Sequence, residues 1–229
     1  MYNKFFKRLF DWLLSLIAIL LLSPLLLLLT LAGAIAMGGN PFFVQKRPGK
    51  DERIFCMIKF RSMTDHRDKK TGRLLSDEER LTRYGRFLRA TSLDELPELF
   101  NIFAGQMSFV GPRPMLVRDM VFMTPAQRGR HSVRPGLTGL AQANGRNSVT
   151  WEKKLAFDLE YVEHITLWGD VKILFKTVFS VLKREGIAEE GMATAADLGD
   201  YLLYKGEITQ EEYDRGQAEA GTLLKQKNP

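Results

Sequence analysis

The chain has 229 residues, 33 basic against 27 acidic for a formal net charge of +6, and one cysteine, Cys56, so an internal disulfide framework is excluded. Its length fits one catalytic-sized domain with room for a small appendage. The charge is uneven: residues 186–229 hold nine acids and four bases, which leaves 29 bases and 18 acids in the rest, a body suited to anionic partners such as nucleic acid, phospholipid or phosphorylated substrates.

Trp12 to Met37 carries no charge. The run is long enough to cross a bilayer as a tilted helix and rather long for a signal peptide. Lys4, Lys7 and Arg8 precede it, and Lys46, Arg47, Lys50 and Arg53 follow it. Cations prefer the cytoplasmic side, so both ends are expected there. Ser23-Pro24 near the middle offers a way to turn back, because proline removes a helical hydrogen bond and clashes with the preceding turn. A kinked transmembrane helix fits the proline equally well. The two-sided basic flank favours a re-entrant helix-break-helix, each arm ~18 Å long.

Gly38-Gly39-Asn40-Pro41 ends this segment as a turn. Phe42–Val44 and Ile54–Ile58 read as strands of a hairpin around Arg47-Pro48-Gly49-Lys50, with Lys59 and Arg61 just beyond the second strand. Residues 64–80 are charge-rich and expected to form a mobile loop. Leu81 to Ala90 returns to a helical pattern with Arg83, Arg86 and Arg89 three apart. A solvated basic stripe explains that spacing, and so does a stripe facing phosphate or a membrane surface. Arg89 lies one short connection before the next motif, which favours a phosphate role for it alone.

That motif is Ser92-Leu-Asp-Glu-Leu-Pro-Glu-Leu-Phe-Asn101. Ser92 and Glu95 match a capping box, with Leu96, Leu99, Phe100 and Phe103 as the buried stripe and a kink at Pro97. Adjacent carboxylates at Asp94 and Glu95 would face the unpaired N–H groups of a first helical turn, which keeps them ionised and also suits a phosphate. The pattern fits a plain cap as well. Gly111-Pro112-Arg113-Pro114 is a stiff turn that holds one guanidinium in a fixed direction. Carboxylates, a phosphate-friendly helix end and arginines together suggest nucleophilic attack on phosphorus.

A helix is expected from Pro114 to about Gln127, then a glycine-rich loop over Val133 to Gly145 whose glycines either make tight turns or let amides approach a ligand. No G-x-x-x-x-G-K-[ST] is present, so P-loop chemistry is unsupported. Arg146 follows. Trp151 to about Ile165 and Asp170 to Glu185 read as helices. The second carries Val171, Leu174, Phe175, Val178, Phe179 and Leu182 on one side, which suits either a core helix or one lying in the membrane interface. His66, His131 and His164 have no metal-binding spacing. Glu207 to Leu224 reads as an acidic helix.

The 92–101 motif, then Met107-Ser-Phe-Val-Gly-Pro-Arg-Pro114, then Arg134-Pro-Gly-Leu-Thr-Gly-Leu-Ala-Gln142 resemble the core of the bacterial sugar transferases, the monotopic phosphoglycosyl transferases, over about residues 1–190. The resemblance implies an α+β, mainly helical membrane-associated domain with an N-terminal re-entrant helix-break-helix, a small β-hairpin and interfacial amphipathic helices. Residues 1–40 would be the anchor, 41–190 the cytoplasmic-face catalytic domain and 191–229 an acidic extension. It implies transfer of a sugar 1-phosphate from a UDP-sugar to polyprenol (undecaprenyl) phosphate with release of UMP, at the cytoplasmic face of the bacterial inner membrane. Asp94 and Glu95 would be catalytic, Asp94 as nucleophile and contact for Mg²⁺, and Glu95 in the acceptor step. Lys59, Arg89, Arg113 and Arg146 would bind phosphate. Asp158 and Asp170 fall in matching segments without a specified role. Ser23 and Pro24 would make the membrane break. Partners implied are the UDP-sugar, polyprenol phosphate and membrane phospholipids, with homo-oligomers or downstream glycosyltransferases as further candidates. Residues 184–194 resemble the C-terminal end of small members that use UDP-diacetylbacillosamine, and the extension beyond them departs from that pattern. Two rivals stand beside this: a membrane-tethered anionic-lipid or nucleic-acid binding protein, for which no binding motif is recognisable, and a secreted phosphate-binding or hydrolytic domain with a cleaved signal peptide.

Overall fold

The computed structural model describes residues 2–68, 70–145, 149–182 and 197–225. A π-helical turn at Tyr2–Phe6 leads into α1 (Lys7–Met37), 31 residues without interruption. The helical assignment runs through Ser23-Pro24. Pro24 cannot donate to the Leu20 carbonyl four residues back, and the Ser23 hydroxyl donates to that carbonyl instead, at 2.8 Å. Gly38, at φ 62°, ends the helix in the left-handed conformation that a side chain would strain.

Lys7, Asp11, Ser15, Leu26, Leu29 and Gly33 form the buried side of α1. The other side is apolar and open, with Leu21 75 % and Ile35 84 % exposed.

β1 (Phe42–Pro48) and β2 (Ile54–Phe60) pair antiparallel from Phe42 opposite Phe60 to Pro48 opposite Ile54. The hairpin is the one expected from sequence, with both strands longer. In the expected loop at 64–80, Arg67 bridges Leu74 and Ser76 caps α2 (Asp77–Arg80). α3 (Arg83–Thr91) follows, then a 3-10 turn at Leu93–Glu95 and α4 (Glu98–Phe103).

The expected capping box is absent. Ser92 adopts φ 56°, ψ 19°, closes α3 as its C-cap and makes no side-chain cap bond. Pro97, with no N–H to lose, stands at the N-cap of α4. The buried stripe shifts accordingly. Leu99 and Ile102 are buried, whereas Phe100 is exposed.

β3 (Ser108–Val110), α5 (Val117–Met120), α6 (Pro125–Arg128) and β4 (Gly136–Thr138) come next, with β4 parallel to β3. The single helix expected up to Gln127 is divided at Thr124-Pro125, where the Thr124 side chain caps α6. α7 (Leu140–Ala143), α8 (Trp151–Glu163), α9 (Leu167–Leu182), α10 (Leu198–Tyr204) and α11 (Gln210–Lys225) complete the described chain.

Two clusters fasten α1 to the body. Phe55, Met57, Leu99, Ile102 and Met107 pack with Ala18, Ile19 and Leu22. Leu26, Leu29, Phe60 and Leu88 form the second. Each such side chain contributes roughly 1.5–3 kcal/mol when fully buried. Both clusters draw on β2, joined by α4 in the first and α3 in the second, and so seat α1 against these elements. The described part of the tail is docked on the body as well: Leu198 packs with Met123 and Leu155, and Ala220 with Val117 and Met120.

Candidate active site

β2 delivers Lys59, the 3-10 turn delivers Asp94 and Glu95, and the first residue of α4 is Glu98. Glu95 Oε1 accepts from Lys59 Nζ and from an Arg113 terminal nitrogen, each at 2.7 Å. Lys59 also lies 3.1 Å from Glu98 Oε1. A narrow cleft lined by Arg47, Lys59, Glu98, Arg113 and Pro114 runs alongside. Four of the sequence-predicted residues thus meet, and sequence reasoning had missed Glu98 and Arg47.

The two adjacent carboxylates differ. Burial pushes Glu95 up, but Arg113 and Lys59 outweigh it and hold the carboxyl far below its usual range. Asp94 is raised, by burial first and by the Glu95 charge second, against the pull of Lys59, Arg113 and Arg89. Among the described residues Asp94 has no hydrogen-bond or ion-pair partner, so its oxygens are available to a ligand. Glu98 is 3 % exposed, and burial lifts it to about 7 although Lys59 opposes the rise.

Arg113 is held from behind. Val110 and Ser108 pair with Thr138 and Gly136, and the turn that follows packs against the glycine-rich segment. The Gly111 N–H donates to the Thr138 carbonyl and the Gly136 N–H to the Pro112 carbonyl, both at 2.9 Å. A Cβ on Gly136 would come within 2.1 Å of the Gly111 nitrogen, and one on Gly139 within 2.2 Å of its oxygen. These two glycines therefore serve backbone contact inside the fold. Arg130 then donates to the Arg113 carbonyl at 2.6 Å while its guanidinium grips Asp158 Oδ2 at 2.9 and 2.7 Å. Arg130 and Asp158 are each 1 % exposed. Asp158 thus belongs to a buried ion pair behind Arg113.

The remaining predicted residues lie apart. Arg89 donates to Ser62 Oγ at 3.0 Å and acts on Asp94 through its charge. Asp170 accepts from Lys7 at 2.5 Å, Tyr2 at 2.7 Å and Tyr161 at 2.8 Å, which ties the start of α1 to α8 and α9. Arg146 and the 184–194 segment fall outside the described residues.

Among the described residues no group of three or more His, Cys, Asp or Glu side chains gathers as a metal site. Mg²⁺ asks for less, since it commonly takes one or two carboxylates with phosphate oxygens and retained waters. The unpartnered Asp94 carboxylate meets that demand, and the cations near it, Lys59, Arg113 and Arg89, suit the phosphate oxygens.

A family model described as bacterial sugar transferase matches residues 2–184. The uncharacterized sugar transferase EpsL of Bacillus subtilis (strain 168) is 47 % identical over 190 residues, 82 % of this chain and 93 % of that protein. The UDP-galactose-lipid carrier transferase of Erwinia amylovora is 40 % identical over 200 residues, covering 80 % of this chain and 42 % of its own length. The UDP-glucose:undecaprenyl-phosphate glucose-1-phosphate transferase of Klebsiella pneumoniae is 42 % identical over 186 residues, 77 % of this chain and 40 % of that protein. The chain therefore spans less than half the length of the latter two.

Proposed function

The chain belongs to the bacterial sugar transferase family, and from that premise we propose that it is a phosphoglycosyl transferase that moves a sugar 1-phosphate from a UDP-sugar to polyprenol phosphate and releases UMP. The observation that carries the reading is the contrast within the dyad. Glu95 is clamped by Lys59 and Arg113, while Asp94 beside it has no partner among the described residues.

An Asp94 oxygen attacks the sugar-bearing phosphorus of the UDP-sugar. A bond from that phosphorus to Asp94 forms, the bond to the bridging oxygen breaks, and UMP leaves with the electron pair. A polyprenol phosphate oxygen then attacks the same phosphorus, the bond to Asp94 breaks, and the carboxylate is regenerated. Both steps bring anions together, so fixed cations supply most of the stabilisation. Arg113 has nearly half of its side chain exposed at 47 %, and its planar fork can bridge phosphate oxygens. Lys59 contributes from the same Glu95 oxygen that holds Arg113, and Arg89 and Arg146 are assigned to phosphate on the family pattern. Glu95 orients the two cations and assists the acceptor step. Mg²⁺ held at Asp94 would neutralise diphosphate charge.

The protein associates with a membrane through α1, the one described helix long and apolar enough for that role. A monotopic, re-entrant arrangement is supported by contacts at both ends of α1. Arg8 donates to the Ile102 and Phe103 carbonyls at 2.8 and 2.9 Å. Tyr84 donates to the Leu29 carbonyl at 2.7 Å. A helix rising straight through a bilayer would carry one of those ends ~30 Å from the body. In α9, Trp168 is 73 % and Phe175 64 % exposed, which suits an interfacial helix better than a core one. In this reading the dyad rides at headgroup level on the cytoplasmic face, where a soluble nucleotide sugar and a lipid phosphate can meet.

The direct test is a panel of UDP-sugars incubated with polyprenol phosphate and Mg²⁺. UMP release with one of them is expected, and that sugar is thereby identified. Lipid and nucleic-acid binding without release from any UDP-sugar would favour the binding-protein rival.

A further inference from the structure

A second polar cavity of about 440 Å³ opens at the N-terminal end of α1, lined among others by Lys7, Arg8, Asp11, Lys50, Ser132 and Arg134. It shares no lining residue with the cleft beside Glu98, and the two lie at opposite ends of α4. Arg8 reaches the carbonyls of Ile102 and Phe103 at the far end of that helix, and Arg134 Nε donates to the Gly105 carbonyl at 2.7 Å. The Arg8 guanidinium also lies against Gly105, 2.9 Å from where a Cβ would stand. Two guanidinia therefore converge on one residue.

Their charges are not matched. Lys7 is neutralised by Asp170 at 2.5 Å. Arg8, Lys50 and Arg134 form no ion pair among the described residues, and Asp11, the one acid in the lining, accepts the Phe109 N–H at 3.0 Å. Asp11 acts on Arg8 and Lys7 through its charge, and the excess of cations over acids in the lining calls for an anion. The surroundings say which kind. The N-terminal turn that brings Asn3 and Lys7 to the cavity also exposes Phe5 (66 %) and Phe6 (44 %), and α1 continues with exposed Leu9 and Phe10. A cationic pocket at the start of an apolar, exposed helix matches a lipid whose phosphate sits at headgroup level and whose chains lie along that helix.

We infer that this cavity is a binding site for the phosphodiester headgroup of an anionic bilayer phospholipid, separate from the dyad. The length of α4, ~9 Å of helix, separates this end from the end that carries Glu98. The bound lipid fastens the start of α1 to α4 and the 132–134 segment, and so fixes the depth at which the active site rides on the membrane.

The test uses the full chain in neutral detergent with short-chain phosphatidylglycerol as the probe and the unfolding midpoint as readout. Phosphatidylglycerol is expected to raise the midpoint saturably, and short-chain phosphatidylcholine is not. Lys50 is exposed and makes no ion pair, so Lys50→Glu leaves the fold intact. It should raise the lipid concentration giving half the shift roughly fivefold or more, with Arg134→Gln acting in the same direction. An equal response in wild type and Lys50→Glu would overturn the inference. A full shift from inorganic phosphate alone would make the cavity a soluble-anion site, and displacement of the lipid by UMP would make it a nucleotide site; either result rejects the phospholipid assignment.

Discussion

The Arg113 guanidinium donates to Glu95 Oε1 across 2.7 Å, and the same oxygen accepts from Lys59. One carboxylate oxygen thus aligns two cations beside Asp94. Arg113→Lys keeps the charge and loses the planar fork. Transfer is expected to fall by about 2–4 kcal/mol in transition-state stabilisation, with the unfolding midpoint nearly unchanged because Arg130 holds the Arg113 backbone. Near-normal turnover would reduce Arg113 to a structural part of its turn.

The Arg130–Asp158 pair behind that turn is buried, and a lone charge left there is costly. Arg130→Met should destabilise the protein by ~3–5 kcal/mol. Adding Asp158→Leu should recover a good part of the loss, since the orphaned carboxylate disappears. Denaturant unfolding of the two single variants and the double variant tests this. A double variant as unstable as the sum of the singles would contradict the assignment.

Glu98 gives a pH dependence with a defined sign. Its carboxyl is raised from an ordinary value of 4.5 to about 7, so the folded protein holds a proton there that the unfolded chain has released. That contribution to stability is fully present below pH ~4.5 and is lost as the pH rises through ~7. Glu98→Gln cannot titrate, so its unfolding midpoint should fall less than the wild-type midpoint between pH 5 and 8. Parallel curves would mean that Glu98 ionises normally.

The arrangement of α1 is open to labelling. In the re-entrant arrangement, cysteines placed at Asn3 and Asn40, with Cys56 replaced, should react alike with an impermeant thiol reagent in intact cells. Labelling at only one position would indicate a spanning helix. Pro24→Leu restores the Leu20 hydrogen bond and should push the segment toward that spanning form.

Legibility in the sequence followed how local each feature is. The apolar N-terminal segment and the β1–β2 hairpin were readable from contiguous patterns, while the grouping of Lys59, Asp94, Glu95 and Arg113 was implied by the family resemblance. The Ser92 cap was misread because α3 also has to end, and its left-handed C-cap took the serine that a capping box would have used. The β3–β4 pair was invisible since each strand has three residues and they pair in parallel over a long sequence gap. Glu98 lay inside the quoted motif, three residues after Glu95, but only the tertiary fold buries it against Lys59. Arg130 and Asp158 had no local signal linking them.

In the proposed reaction Asp94 becomes covalently attached to the sugar phosphate. The measurement is intact-protein mass spectrometry of the enzyme given its UDP-sugar and Mg²⁺ without polyprenol phosphate. A gain of one sugar phosphate mapping to Asp94 is expected, with at most one UMP per active site, discharge when the lipid is added, and no adduct in Asp94→Asn. Glu95→Gln should still form the adduct. If no adduct forms and UMP appears only when both substrates are present, transfer is direct within a ternary complex, and Asp94 is a metal contact and nothing more.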